Sequence, residues 1–383
     1  MNDMTSTAAK AGAVKSSFRQ GIPSLVFALA VAGAAVYAFS HRPPPPFMPT
    51  QVYSDKIQVN GLARIGARMV GVGEQGRILI SDDPKKGDWR EAKVDKPRGS
   101  TLTQVLALEG ALIAVGHDSW ILRSEDRGET WKEVNFSTES SDPLLGVSGP
   151  YGHKLFAYGS FGLLMASEDG GKTWKRETLV EEGKAEPEPV PAADPNADPY
   201  ADPYADPFAN VGKGDTGIGD RHLNAMTKAP DGSLWLVGER GLLAQSTNGG
   251  QSWKAQPEIY AGSFFGILTL PSRAMLVYGM RGNAYYSGDQ GQTWKKSKIP
   301  ETLSLFGGAT TLAREVVLVG ASNAVFVSKD GGASFNRVSA AEQKGIAAVL
   351  PLDSGDIVTA GEGGIAVREL RAPSAAAPAG AQP

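Results

Sequence analysis

Short apolar runs of about four to seven residues recur along most of the chain, each stopped by a turn that carries glycine, aspartate or asparagine. The stretch 102–134 shows the unit: LTQVLAL (102–108), ALIAVG (111–116), WILRS (120–124) and TWKEV (130–134). β-Branched, aromatic and aliphatic residues fill the runs, and a turn signal falls roughly every 8–12 residues, which predicts four consecutive strands. The second run always ends in glycine, at Gly73, Gly116, Gly159, Gly238, Gly279, Gly320 and Gly361, with spacings of 43, 43, 79, 41, 41 and 41. There are thus seven repeats, with an insertion of about 36 residues between the third and the fourth. A four-stranded unit of ~40–45 residues repeated in this way predicts the blade of a β-propeller. Closing the blades into a ring removes the two sheet edges that an open stack would expose.

The fold class expected is therefore all-β, a seven-bladed β-propeller over residues 51–370. After GIAVREL (364–370) there is no further turn and no fourth strand, whereas the segment QVYSDKIQV (51–59) precedes the first repeat. This N-terminal strand is expected to complete the last blade and fasten the ring.

A second recurring motif joins the third run to the fourth. SEDRGETWKEV begins at Ser124, SEDGGKTWKRE at Ser167, STNGGQSWKAQ at Ser246, SGDQGQTWKKS at Ser287 and SKDGGASFNRV at Ser328, and a degenerate copy, SDDPKKGDWREA, begins at Ser81. An active site is built once, so six regularly spaced copies indicate architecture. The aspartate accepts backbone N–H groups of the turn, the glycine supplies a positive φ, and the tryptophan buries its ring between blades.

Ahead of the repeats, residues 21–40 (GIPSLVFALAVAGAAVYAFS) contain no charge, and twenty residues at ~1.5 Å each match ~30 Å of hydrocarbon. Lys10, Lys15 and Arg19 precede this segment against the single acid Asp3. The pattern predicts one uncleaved transmembrane helix, with residues 1–20 cytoplasmic and the propeller on the periplasmic side of a bacterial inner membrane. Residues 41–50 (HRPPPPFMPT) read as a stiff proline-rich spacer, and residues 371–383 (RAPSAAAPAGAQP) as a disordered tail. A net charge of −3 gives no field that would recruit nucleic acid, and no cysteine is present for disulfides or thiolate metal sites. The four histidines, at 41, 117, 153 and 222, show no metal-ligand spacing, so no cofactor or metal is expected.

The turns are similar to the Asp-boxes, or BNR repeats, of sialidases and other propellers. Together with the strand-glycine motif, as in VGVGEQGRILIS around Gly73, they resemble the photosynthesis system II stability/assembly factor family over about residues 51–370. That resemblance implies a seven-bladed, non-enzymatic binding scaffold. Photosynthetic members help to assemble photosystem II, and bacterial membrane-anchored relatives look associated with RND-type exporters. The expected function is a periplasmic interaction module, an accessory or assembly subunit of an RND-type transporter. An assembly factor for a respiratory or photosynthetic complex is the first alternative. A sialidase-like glycosidase is the second, but the Arg-Ile-Pro signature of sialidases is absent: the nearest approaches are GIP at 21–23 and KIP at 298–300. Glu74, Glu239 and Glu362 are the carboxylates that would share one face for two-carboxylate chemistry.

The loops between second and third strands and the connections between blades are expected on one face, opposite the Asp-boxes. Arginine and aromatic residues there suit a protein interface. The partner-binding candidates are Arg98, His117, Phe161, Arg221, Arg240, Tyr260 and Arg281, with Gln75, Asp118 and His222 beside them. The insertion (181–217) repeats Ala-Asp-Pro-(Asn/Tyr/Tyr/Phe) four times and adds Tyr200, Tyr204 and Phe208 as spaced aromatic candidates. Proline at every fourth residue blocks both helix and ladder, so this segment is expected to be extended, acidic and mobile.

Overall fold

The computed structural model describes residues 18–39, 53–137, 139, 141–183 and 217–370. The spacer, the tail and the aromatic repeats of the insertion lie outside the described residues. The chain divides into two units, at Met1–Gln51 and Val52–Pro383. In the first, Phe18–Phe39 is an α-helix of 22 residues with Pro23 inside it, and Leu25, Phe27 and Val36 are exposed. Among the described residues no helix is long and apolar enough to cross a membrane. The spanning segment expected over 21–40 thus meets a helix at that place, and its described part falls short of a span.

The second unit is built from antiparallel meanders. The first blade runs Val59–Ile65, Arg68–Gly73, Ile78–Ser81 and Arg90–Glu91, paired in sequence order. Five more blades repeat this order, and the last has three strands, Ile346–Pro351, Ile357–Gly361 and Gly364–Arg368. In the second blade the expected runs are strands at Leu102–Leu108, Ala111–Gly116, Ile121–Ser124 and Thr130–Asn135. Lys93–Val94, leaving the first blade, adds to the outer strand of the second in parallel, and parallel bridges at Glu181–Trp253 and Lys298–Ser334 do the same for two further pairs of blades.

The second strands are buried along their length, save Lys154 at the start of the third blade's, because both faces of every blade are covered. Alternate side chains go to opposite neighbours: Leu112 and Ala114 pack with the first blade, Ile113 and Val115 with the third. One apolar cluster fills each of the seven gaps between adjacent blades. The seventh gap shows that the ring is closed: Val358, Ala360 and Ile365 of the last blade pack on Val59, Met69, Leu79 and Trp89 of the first. Arg64 adds a two-pronged ion pair to Asp353 across the same gap.

The chain start contributes less to closure than a strand over 51–59 would. Residues 51 and 52 lie outside the described residues, and 54–57 form a turn and bend, in keeping with Ser54 and Asp55. The first strand begins only at Val59. The Ile365 N–H donates to the Ser54 carbonyl at 2.9 Å, and the buried Ile57 packs in the same gap, so the described part of this segment meets the last blade.

The strand-ending glycines answer a steric demand. Gly73, Gly159 and Gly279 have φ of −164°, −166° and −174°, which any residue adopts. A β-carbon there would lie 2.0–2.1 Å from the carbonyl oxygen of the residue entering the inner strand.

In the recurring turns that resemble Asp-boxes, called boxes below, the serine is as central as the aspartate. Ser124 Oγ accepts the Gly128 N–H at 2.9 Å and donates to Asp126, and Asp126 accepts the Thr130 N–H and hydroxyl. The box glycine is left-handed, at +90° for Gly128. The Thr173 hydroxyl and N–H hold the Asp169 carboxyl well below the usual carboxylate range, and the Thr293 hydroxyl and N–H hold that of Asp289 down to about 2. Burial pushes Asp126 and Asp330 upward, yet the donors from Thr130, Ser334 and the box serines leave both lowered. A depressed folded pKa contributes stability above the unfolded value, here 3.8, that is lost as pH falls through the folded value. The free energy of unfolding, followed by urea titration, is therefore expected to fall between about pH 5 and pH 2. Asp289→Asn is expected to flatten that fall, since Asn248 fills the same position in the fourth box and takes the Ser252 N–H at 3.0 Å.

Candidate functional site

Each inner strand starts with the same irregularity. The pairing slips between Val59 and Gly61, Leu102 and Gln104, Leu144 and Gly146, Leu223 and Ala225, Phe264 and Gly266, Leu305 and Gly307, and Ile346 and Ala348. A bulge turns one unpaired residue toward the ring axis. Those residues are Asn60, Thr103, Leu145, Asn224, Phe265, Phe306 and Ala347, and all of them line a central channel of about 430 Å³. The bulges stand at the end of the inner strand paired with the strand-ending glycine, hence on the face that carries the loops between second and third strands.

The ring of bulge residues is divided by polarity. Asn60 donates to the Leu102 carbonyl at 2.9 Å, Thr103 to Leu144 at 2.8 Å and Asn224 to Phe264 at 2.7 Å, each time tying its blade to the next. Leu145, Phe265, Phe306 and Ala347 have no group for such a bond and present apolar surface instead. The Phe265 and Phe306 rings lie 5.6 Å apart, and Phe306 is 40% exposed. Below them Tyr158 and Tyr278 reach the channel from the second strands. They have room because Gly146 and Gly266 stand in front of them, where a β-carbon would fall 2.5 Å and 2.1 Å from the tyrosine rings. Tyr278 is 5% exposed, and its hydroxyl has no hydrogen-bond partner among the described residues. Burial raises its pKa, so at neutral pH it stays a donor.

The expected partner-binding residues occupy the surrounding loops and do not form one cluster. Phe161, at φ +46° and 67% exposed, packs edge-on against His222 at 4.8 Å. Arg221 joins this group, its carbonyl accepting the Gly162 N–H and its guanidinium reaching the Arg240 carbonyl at 3.4 Å. Arg240 and Arg281 sit at loop apices with φ +52° and +55°, and both are exposed, as is the apex-flanking His117. Gln75 and Asp118 take equivalent apices at +55° and +58°. Two candidates serve the scaffold. Arg98 grips Glu133 at 2.7 and 2.8 Å and covers the Phe136 ring, and Tyr260 packs on Phe264 and Tyr285. Tyr200, Tyr204 and Phe208 lie outside the described residues.

The three glutamates also have structural employment. Glu74, Glu239 and Glu362 accept the N–H of Gln58, His222 and Gly345 at 3.1, 3.2 and 2.9 Å, each capping the entry to the inner strand of its own blade. The bulge residues are not among the residues expected from the sequence, although they carry a signal there. Each lies 13 or 14 positions before a strand-ending glycine and follows a buried residue, as in LLG, FFG and LFG.

Residues 67–199 match the DUF6242 beta propeller domain. The solved structure of YCF48 bound to D1 peptide superposes with a TM-score of 0.59 at 14% identity, covering 83% of this chain and 94% of that one. The chain is a seven-bladed β-propeller. YCF48 from Cyanidioschyzon merolae is similar at a TM-score of 0.58 and 15% identity, over 85% of this chain and 97% of that one. A catalytically inactive virginiamycin B lyase from Staphylococcus aureus with quinupristin reaches 0.59 at 12% identity, over 82% and 95%. At these identities the likeness is one of fold. No curated protein matches in sequence.

Proposed function

We propose that this propeller is a non-enzymatic interaction module that takes an apolar side chain of a protein partner into the mouth of its channel. The observation that carries this reading is the apolar half of the bulge ring, where half-buried Leu145 and Phe265 and exposed Phe306 present apolar surface to the channel mouth. Aromatic anchors at the edge of a pocket carry most of the energy in protein interfaces. The similar fold of YCF48, solved with a D1 peptide, supports a peptide-receiving role. On this reading the chain is an assembly or accessory factor of a membrane complex. The specific partner proposed is an RND-type transporter, with the propeller in the periplasm and the apolar helix Phe18–Phe39 as its tether.

Affinity purification of the full chain in mild detergent, with mass spectrometry, tests the proposal. Wild type is expected to retain a membrane protein, and Phe306→Asp to lose at least about thirtyfold of that retention, the equivalent of a ~2 kcal/mol anchor. Equal retention by Phe306→Asp would remove the channel mouth from the interface.

A further inference from the structure

On the face opposite the channel mouth, a second cavity of about 380 Å³ opens between the fourth blade and the box of the fifth. Four side-chain amides line it, Gln245, Gln256, Gln290 and Gln292, with Asp231 at one side and the indole of Trp235 in its floor. The other blades do not repeat the set: the position of Gln245 holds Arg123, Ala166, Tyr286 and Val327 elsewhere. Part of the lining is fixed in advance. The Ser233 hydroxyl donates to Asp231 at 2.7 Å and accepts from Trp235 Nε1 at 3.2 Å and Gln245 Nε2 at 3.1 Å.

Gln290 is the telling residue. It occupies the box position that is glycine in the third, fourth and sixth repeats, Gly170, Gly249 and Gly331, at φ +75°, +73° and +73°. Gln290 takes the same left-handed conformation at +62°, which costs a residue with a β-carbon about 1 kcal/mol. Its Oε1 is buried and has no hydrogen-bond partner among the described residues. Arg127 takes the same conformation in the second box, at +61°, so what sets Gln290 apart is a buried, unsatisfied acceptor beside a cavity of amides.

We infer that this cavity is a binding site for a neutral saccharide. Each amide offers both an acceptor and donors, and each sugar hydroxyl is both as well, so the two sets can satisfy one another pairwise. Asp231 accepts from hydroxyls and disfavours an anion, and no cationic side chain lines the cavity to offset it. The indole of Trp235, 1% exposed, closes the floor beneath the amides, and the volume lies within the range of small-molecule pockets. The site is separate from the channel mouth and does not depend on the function proposed for it.

The test uses the full chain and four probes: cellotetraose, maltotetraose, a chitin tetramer and, as the peptide alternative, tetra-alanine, each titrated by calorimetry into the millimolar range. At least one saccharide is expected to saturate. Gln290→Gly is expected to weaken it about tenfold, one hydrogen bond's worth, with no loss in Tm because three sister turns carry glycine there. Asp231→Ala is expected to weaken it as well. Saturation by tetra-alanine alone, no saccharide saturating, or unchanged saccharide affinity in Gln290→Gly would each overturn the assignment.

Discussion

Gly320→Ala is expected to cost about 3 kcal/mol of stability or more, although it adds a single methyl group to a residue with ordinary extended backbone. The new β-carbon would stand 2.0 Å from the Ser304 carbonyl oxygen and 2.9 Å from the Ser304 carbonyl carbon. Both are backbone atoms, so no rotamer change relieves the contact. The Ser304 carbonyl also accepts the Ala321 N–H at 2.9 Å, and moving the connection away breaks that bond as well. Gly331→Ala is the control. Gly331 has φ +73° and open space around its β-carbon position, so the cost is the left-handed conformation alone, about 1 kcal/mol. Urea unfolding of the two variants measures the difference, and equal costs would mean that close approach is not why the motif ends in glycine.

Trp131→Ala is expected to cost about 4 kcal/mol, since the ring is fully buried in the cluster between the first and second blades. The smaller change to phenylalanine separates packing from hydrogen bonding. Trp131 Nε1 donates to the Gly128 carbonyl at 3.0 Å, so Trp131→Phe loses a bond worth about 1 kcal/mol in addition to ring volume. Trp253 is equally buried but its Nε1 has no partner among the described residues, so Trp253→Phe relieves an unsatisfied donor and is expected to cost less. The sixth box already carries Phe335 in this role. Matching losses for Trp131→Phe and Trp253→Phe would contradict the role given to the indole N–H.

Much of this architecture can be read from residue order because each blade repeats the same physical demands. The glycine spacing gave the blade count, and the runs at 102–108 and 111–116 are strands with those bounds. Two features were harder to read. Ring closure depends on Ile365, Val59 and Trp89 meeting across the whole length of the chain, and side-chain packing of that kind leaves no local pattern. The channel mouth depends on a bulge, which shifts register by one residue and so turns Phe265 and Phe306 inward where simple alternation gives no warning. Among the loop candidates Arg98 and Tyr260 brace the scaffold and Phe161 is exposed, while Phe265 and Phe306 place further apolar surface on the inner strands.

The central claim, that a partner enters the channel mouth, is tested most directly by photocrosslinking in cells. A benzoylphenylalanine is placed at Phe306, in the mouth, or at Arg127, in a box turn on the opposite face. The account predicts that position 306 captures one defined membrane protein, that position 127 does not capture it, and that Phe265→Asp abolishes the capture from 306. Capture of that protein from position 127 and none from position 306 would contradict it.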